Sequence, residues 1–249
     1  MTTATKTRPS RSVAKKAPAK KPAPKAAAPK PPAQPVEPPI EQVVLRASTF
    51  ATAWTWVARA MSNDDGRPIL ASMCIEVFSP QSVRLVATDS YSMLWAWVGC
   101  GEGDETEPAL SAEPKRTLVA RDHGRSKAFM GWLAKGDLAD EITLTINTTN
   151  VRLSTPWESL TLPFATVGDD SAAKYPDWRK IADRPAGKAP EKLCLAKERL
   201  ALATLPKLPV TQRDAVMTFD GELGPVHLEW PYATPPIHGL LMPIRTSGS

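Results

Sequence analysis

Between Val43 and the C-terminus the apolar residues run three times through one order, a strand, a helix and then three strands. A helix with one apolar stripe and hairpins with one apolar face must bury those surfaces against each other. The repeat therefore predicts an α+β fold with helices on one face of curved antiparallel sheets. In the first unit Phe50, Trp54, Val57 and Met61 recur at helical spacing behind Ser48 and Thr49, residue types that cap helices. Strands are predicted at 68–78, 82–88 and 92–98, with Met73, Ile75 and Val77, then Val83, Leu85 and Ala87, alternating in and out. The second unit opens with Arg116 to Ala120 and a helix over 121–134, whose buried face is Phe129, Trp132 and Leu133. Its strands carry Ile142, Leu144 and Ile146, then Val151 and Leu153 after a turn at Asn150, then Leu160, Leu162 and Phe164. The third runs from Glu191 through a helix at 196–205, ended by Pro206, into strands at 214–219, 225–230 and 237–244. The expected helix starts, Thr49, Arg121 and Ala196, lie 72 and 75 residues apart.

The segment before the repeat is of another kind. From Thr7 to Pro39 it is almost entirely Ala, Pro and Lys without an aromatic residue, so it cannot bury enough surface to offset its ordering entropy. Residues 1–42 are predicted to form a disordered basic tail, either attracted to the DNA backbone through phosphate neutralisation or acting as a solubilising spacer. Residues 1–43 hold nine Lys/Arg against Glu37 and Glu41, a net of +7, which leaves 22 basic against 24 acidic residues in the rest, a net of −2. Cys74, Cys100 and Cys194 are odd in number and far apart, which excludes a disulfide framework and a CxxC metal site. No run approaches a membrane span, and a cytoplasmic, nucleoid-associated protein is expected.

Enzymatic chemistry finds no support. His123, His227 and His238 are isolated, and there is no phosphate-binding glycine loop and no GxSxG elbow. The acidic pairs Asp64-Asp65 and Asp169-Asp170 belong to loops beside glycine, and Trp54, Trp56, Trp95 and Trp97 read as core on a helix and a strand rather than stacking platforms. A non-enzymatic protein without cofactor or metal is expected.

Three segments carry a resemblance. Arg67-Pro68-Ile69-Leu70 followed by Val83-Arg84-Leu85-Val86-Ala87-Thr88-Asp89 is one, Tyr175-Pro176-Asp177-Trp178-Arg179-Lys180-Ile181 the second, and Gly239-Leu240-Leu241-Met242-Pro243-Ile244-Arg245 the third. In type, order and spacing they resemble the strand pair ending in Ala-Thr-Asp, the linker leaving the middle domain and the terminal Met-Pro-x-Arg of the bacterial and bacteriophage DNA polymerase III beta sliding clamp family. The resemblance covers 43–246 and implies the DNA-clamp fold of repeated βαβββ units, three here against six in the family. It divides the chain into a clamp domain at 43–183, built of two units, and a half domain at 184–249.

The resemblance also implies function. It makes the chain a processivity factor that tethers polymerase, clamp loader and repair proteins to double-stranded DNA through a peptide-binding groove. By position the groove is lined by Leu70, Thr88, Ser90, Tyr91, Ser92, Met93, Pro176, Lys180, Ile181, Leu240, Met242, Pro243, Ile244 and Arg245. Methionine and aliphatic side chains suit an adaptable apolar floor, and Lys180 and Arg245 suit its rim. Ser90 to Met93 depart from the family's Gly, His, Arg and Leu, so peptide preference is expected to differ. DNA contact is implied for Arg59, Arg121, Arg125, Lys127, Lys197, Arg199 and Lys207, whose interspersed charges could track phosphates without reading bases. A partial clamp exposes sheet edges, which implies self-association with the number of chains left open. Two other readings stay open, a mimic that captures clamp-binding peptides without encircling DNA and a basic-tailed architectural DNA-binding protein.

Overall fold

The computed structural model describes residues 41–100, 107–110, 113–122, 124–135, 140–165, 175–183, 193–203, 215–221 and 224–244. Residues 1–40, and with them nearly all of the expected tail, lie outside this set, as do Arg245, Lys207, His123 and the expected end of the third helix. The first unit holds β1 (Glu41–Arg46), α1 (Ala47–Val57), a 3₁₀ turn (Ala58–Ala60), β2 (Ser72–Ser79), β3 (Ser82–Thr88) and β4 (Ser92–Gly99). The second holds β5 (Lys115–Ala120), α2 (Arg125–Leu133), β6 (Glu141–Ile146), β7 (Asn150–Ser154) and β8 (Ser159–Pro163). A short helix α3 (Arg179–Ala182) precedes the third unit, which holds α4 (Lys197–Ala203), β9 (Val216–Phe219), β10 (Val226–Trp230) and β11 (Ile237–Leu241); the strand expected ahead of its helix is not formed at 193–196, so this unit departs from the repeat.

The first two units exchange their first strands. β1 lies antiparallel on β6, with Val43 opposite Leu144 and Leu45 opposite Ile142. In return β5 lies on β2. This gives a four-stranded sheet, β1-β6-β7-β8, and a seven-stranded sheet, β5-β2-β3-β4-β11-β10-β9. The junction β4–β11 carries the sheet from the first unit into the third.

Most of the core is one apolar cluster between the sheets and the helices, which takes Phe50, Trp54 and Val57 from α1, Phe129, Met130 and Leu133 from α2, and Leu202 from α4. Each Leu or Phe so buried contributes about 1.5–3 kcal/mol of transfer free energy. A second cluster lies on the opposite face of the seven-stranded sheet and joins Cys74, Val86, Met93, Trp95, Leu118 and Leu240 to Tyr175 and Trp178.

Several local expectations are corrected. β1 begins at Glu41, inside the stretch read as tail, because Lys115 on β5 pairs with its carboxylate (3.1 Å) and β6 completes its ladder. Ser48 and Thr49 do not cap α1. The chain passes straight from β1 into the helix, and the Ala47 amide donates to the Asp140 carbonyl (3.0 Å), a tertiary acceptor in place of a side-chain cap. Met61 lies beyond the helix yet is buried. Residues Arg67–Ala71 form a turn rather than the start of a strand, with the Leu70 and Ala71 amides both donating to the Arg67 carbonyl (3.0 Å). β2, β3 and β4 do not alternate in and out; they are buried on both faces, because the second cluster covers the side opposite the helices. In α2 the start moves to Arg125, where Asp122 Oδ1 accepts the Gly124 and Arg125 amides (3.2 and 3.0 Å), and Met130 rather than Trp132 is the fully buried partner of Phe129 and Leu133. In β6, β7 and β8 the expected alternation holds.

Candidate functional site

Sheet register assembles the site. On the face opposite the helices, Thr88 of β3 stands opposite Met93 of β4, Met93 opposite Leu240 of β11, and Leu240 opposite His227 of β10. The neighbouring row runs Leu118, Cys74, Val86, Trp95, His238 and Glu229 across β5, β2, β3, β4, β11 and β10. Two segments about 150 residues apart in the chain, Thr88–Met93 and Leu240–Ile244, are thus made neighbours by ordinary ladder pairing.

The third segment arrives over this face as α3 and the residues before it. Tyr175 donates its hydroxyl to the Val86 carbonyl (3.3 Å), Trp178 packs on Trp95 with ring centroids 5.1 Å apart, and Ile181 and Ala182 pack on the cluster holding Met93 and Leu240. A buried carboxylate fixes the helix. Glu76 on β2 accepts from Trp178 Nε1 (3.4 Å), from Arg179 and from Arg84 (3.4 Å), and pairs with Arg116 (3.2 Å). Lys180 points to solvent and pairs with Asp177 (2.7 Å), which raises its pKa through the hydrogen bond and the charge. Pro176 is half-buried.

The floor is filled and the rim is open. Met93 and Leu240 are 5% and 3% exposed, whereas Tyr91 is 50% and Ile244 43% exposed, with Met242 and Pro243 half-buried between them. Hydrogen bonds hold this rim. The Met242 amide donates to the Tyr91 carbonyl (2.8 Å), Arg199 of α4 donates to the Met242 carbonyl (3.2 Å), and the Ile244 amide donates to the Cys194 carbonyl (2.9 Å). The Arg199 guanidinium also lies 4.0 Å over the Tyr91 ring. The turn that presents Tyr91 is built by Asp89, whose Oδ1 accepts the Tyr91 and Ser92 amides (2.9 and 2.7 Å) and the Ser92 hydroxyl (2.9 Å). It forces Ser90 to φ 80°, and the Ser90 amide donates to Thr88 Oγ1 (3.1 Å). Tyr91 and Ser92 also border a cavity of about 390 Å³ shared with Arg59, Arg67 and Leu202.

Solved structures share this architecture. A DNA polymerase sliding clamp from Pseudomonas aeruginosa superposes with a TM-score of 0.61 at 15% identity, over 84% of this chain and 67% of its own. The DNA polymerase III beta subunit from Thermotoga maritima gives 0.54 at 13%, over 87% and 69%. That from Streptococcus pneumoniae gives 0.58 at 12%, over 86% and 67%. The fold is that of the bacterial sliding clamp. No family model matches the chain, and no curated protein sequence does.

On this clamp fold the expected DNA-facing residues divide. Arg125, Lys127 and Lys197 stand exposed on α2 and α4. Arg59 donates to the Ala201 carbonyl (3.0 Å) and Arg121 to the Ser62 carbonyl (2.7 Å), so these two, like Arg199, are engaged within the fold. Leu70 is half-buried, with its carbonyl accepting the Ser62 amide (2.8 Å), and it is Ile69 that packs on the apolar cluster. Trp95, Tyr175, Trp178 and Glu76 also belong to this face, beyond the residues that the sequence predicts for it. The signal for Trp95 was the unbroken apolar run of β4, which marks a strand covered on both faces. Among the described residues no helix is long and apolar enough to cross a membrane, and no group of three or more His, Cys, Asp or Glu could hold a metal ion.

Proposed function

We propose that the chain is a sliding-clamp-like processivity factor that performs no chemistry and tethers polymerase and other replication proteins to double-stranded DNA by accepting their short linear peptides. The observation that carries this reading is the meeting of Thr88–Met93, Tyr175–Ala182 and Leu240–Ile244 on one sheet face, with an apolar floor and a partly exposed apolar rim. A rim held by its own hydrogen bonds needs little reorganisation to receive a large apolar anchor, and such anchors dominate peptide affinity. In this reading 43–183 is a clamp domain and 184–249 half of another, Arg245 joins Lys180 at the rim, and Arg125, Lys127 and Lys197 with Lys207 follow the phosphates.

The test is a fluorescence titration with clamp-binding peptides carrying a Leu or Phe anchor. Met242→Ala is expected to weaken binding roughly 30-fold, about 2 kcal/mol, and Arg245→Ala by less. If the folded wild type saturates with none of several peptides, or Met242→Ala binds equally well, the groove is wrongly assigned. Retention on closed circular DNA with loss from linear ends supports encirclement; peptide binding without such retention favours the mimic.

A further inference from the structure

Beside the apolar floor, on the same sheet face, the surface changes character. A cleft of about 270 Å³ opens where β4, β11 and β10 run side by side, walled by Trp95, His238, His227 and Glu229 and by Glu107 and Leu110 from the segment before β5. Register fixes its distance from the floor. His227 is directly opposite Leu240, and Glu229 opposite His238, so the cleft begins one strand from Leu240 and one residue pair along. Adjacent strands are about 4.8 Å apart and alternate residues of an extended chain about 6.6 Å, so a peptide anchored on the open rim at Met242, two residues beyond Leu240, can place a flanking side chain in the cleft.

The walls are set. Glu107 is tied from behind by the buried Arg84 (2.8 Å) and from the side by His238 Nε2 (3.3 Å), and the His238 ring is stacked on Trp95 at 5.3 Å and 16°. Burial pushes the Glu107 carboxyl up, but His238 and Arg84 together hold it below its ordinary range, so it stays anionic. His227 is opposite in character. Burial outweighs the pull of Asp220 and Glu229 and lowers its pKa, which leaves a neutral imidazole whose Nε2 is buried without a hydrogen-bond partner. The charge facing solvent is the exposed carboxylate of Glu229, which among the described residues has no ion-pair partner. The open Glu229 carboxylate, standing opposite the His238 ring in a cleft where Glu107 stays anionic, suits a cationic side chain with several N–H donors.

We propose that this cleft is a subsite for a lysine or arginine flanking the apolar anchor of a bound peptide, with Glu229 as the selecting charge. The proposal rests on the peptide-binding reading and adds to it a preference that the apolar floor cannot supply. An acidic or neutral flanking residue gains nothing there, so partner peptides are discriminated by one residue beside a common anchor.

The experiment uses the full chain and a set of labelled ten-residue peptides that share a Leu-Phe anchor and carry either lysine or norleucine at each flanking position in turn. At one position the lysine peptide is expected to bind about fivefold tighter than its norleucine twin at low salt, with the difference shrinking as salt rises. Glu229→Gln should abolish that preference and leave the norleucine peptide's Kd unchanged, and Glu229→Lys should reverse it. Equal binding of every lysine and norleucine pair, or a preference that survives Glu229→Gln, overturns the subsite while leaving the groove intact. Failure of all peptides to bind overturns the groove, and the subsite with it.

Discussion

Glu76 shows what a single residue contributes to this surface. It is wholly buried in the row Arg116, Glu76, Arg84 that crosses β5, β2 and β3, and it also receives Trp178 and Arg179 from α3. Burial pushes its carboxyl above the usual range against the pull of Arg84 and Arg116, so the site carries a real desolvation cost that its partners offset. Its removal would leave Arg179, nearly fully buried, without its carboxylate, and the fully buried Arg84 with Glu107 alone. Glu76→Ala is therefore expected to cost about 3–5 kcal/mol in urea unfolding and to weaken peptide binding in whatever remains folded. A loss under about 1 kcal/mol would mean that the arginines find other partners. Glu107 gives a prediction of opposite sign in pH. Its folded pKa lies below the ordinary 4.5, so its stabilisation is complete above that value and is lost as pH falls through the lower folded one. Glu107→Gln should lower the Tm near about pH 6, and the gap to wild type should narrow and then close as the pH falls below 4.5 and through the lower folded value. A gap that is constant with pH would assign the effect to packing. Neither residue was legible as a site component: a charge on a strand, such as Glu76, is ordinarily a solvated one until α3 covers it, and Glu107 lies outside any strand, where only the fold brings it to Arg84.

At the level of elements, the junction β4–β11 decides whether the site exists, because it alone sets Met93 beside Leu240. Gly239 lies on the helix side of β11, where an added Cβ would come within 2.8 Å of Leu94 Cδ2 and 3.2 Å of the Met93 carbonyl oxygen. Leu94 is fully buried and cannot swing away freely. Gly239→Val is expected to destabilise the chain by about 1–3 kcal/mol and to reduce peptide affinity more than it reduces helix content. Unchanged melting and unchanged titration would show that the two strands can separate slightly without consequence. The element order and most strand centres were readable from hydrophobic period. Element ends were not. Asp140 receives the first amide of α1 from across the fold, and α3 is one turn long, too short to leave a periodic signal.

For the molecule as a whole, the uneven charge leads to a direct test. The segment before β1 carries the basic excess, and its composition implies that it does not pack, so a chain starting at Ile40 is expected to melt within about 2 °C of the full one yet bind DNA more weakly at low salt. A large fall in Tm would show that the segment packs on the folded part. Sedimentation at high concentration should give a mass above that of one chain if three units join others to close around DNA, and a strict monomer would leave the peptide-capturing mimic ahead. By itself the sequence determined the α+β class, the strand, helix and three-strand order of the first two units and the segments that meet on one sheet face, since these depend on local period and short motifs. The tertiary structure alone decided that β1 and β5 change places, that β2 to β4 are covered on both faces, and that Arg59, Arg121 and Arg199 hold the fold together while Arg125, Lys127 and Lys197 face solvent. Burial and pairing between distant segments belong to the assembled layers, and no short window of sequence contains both partners.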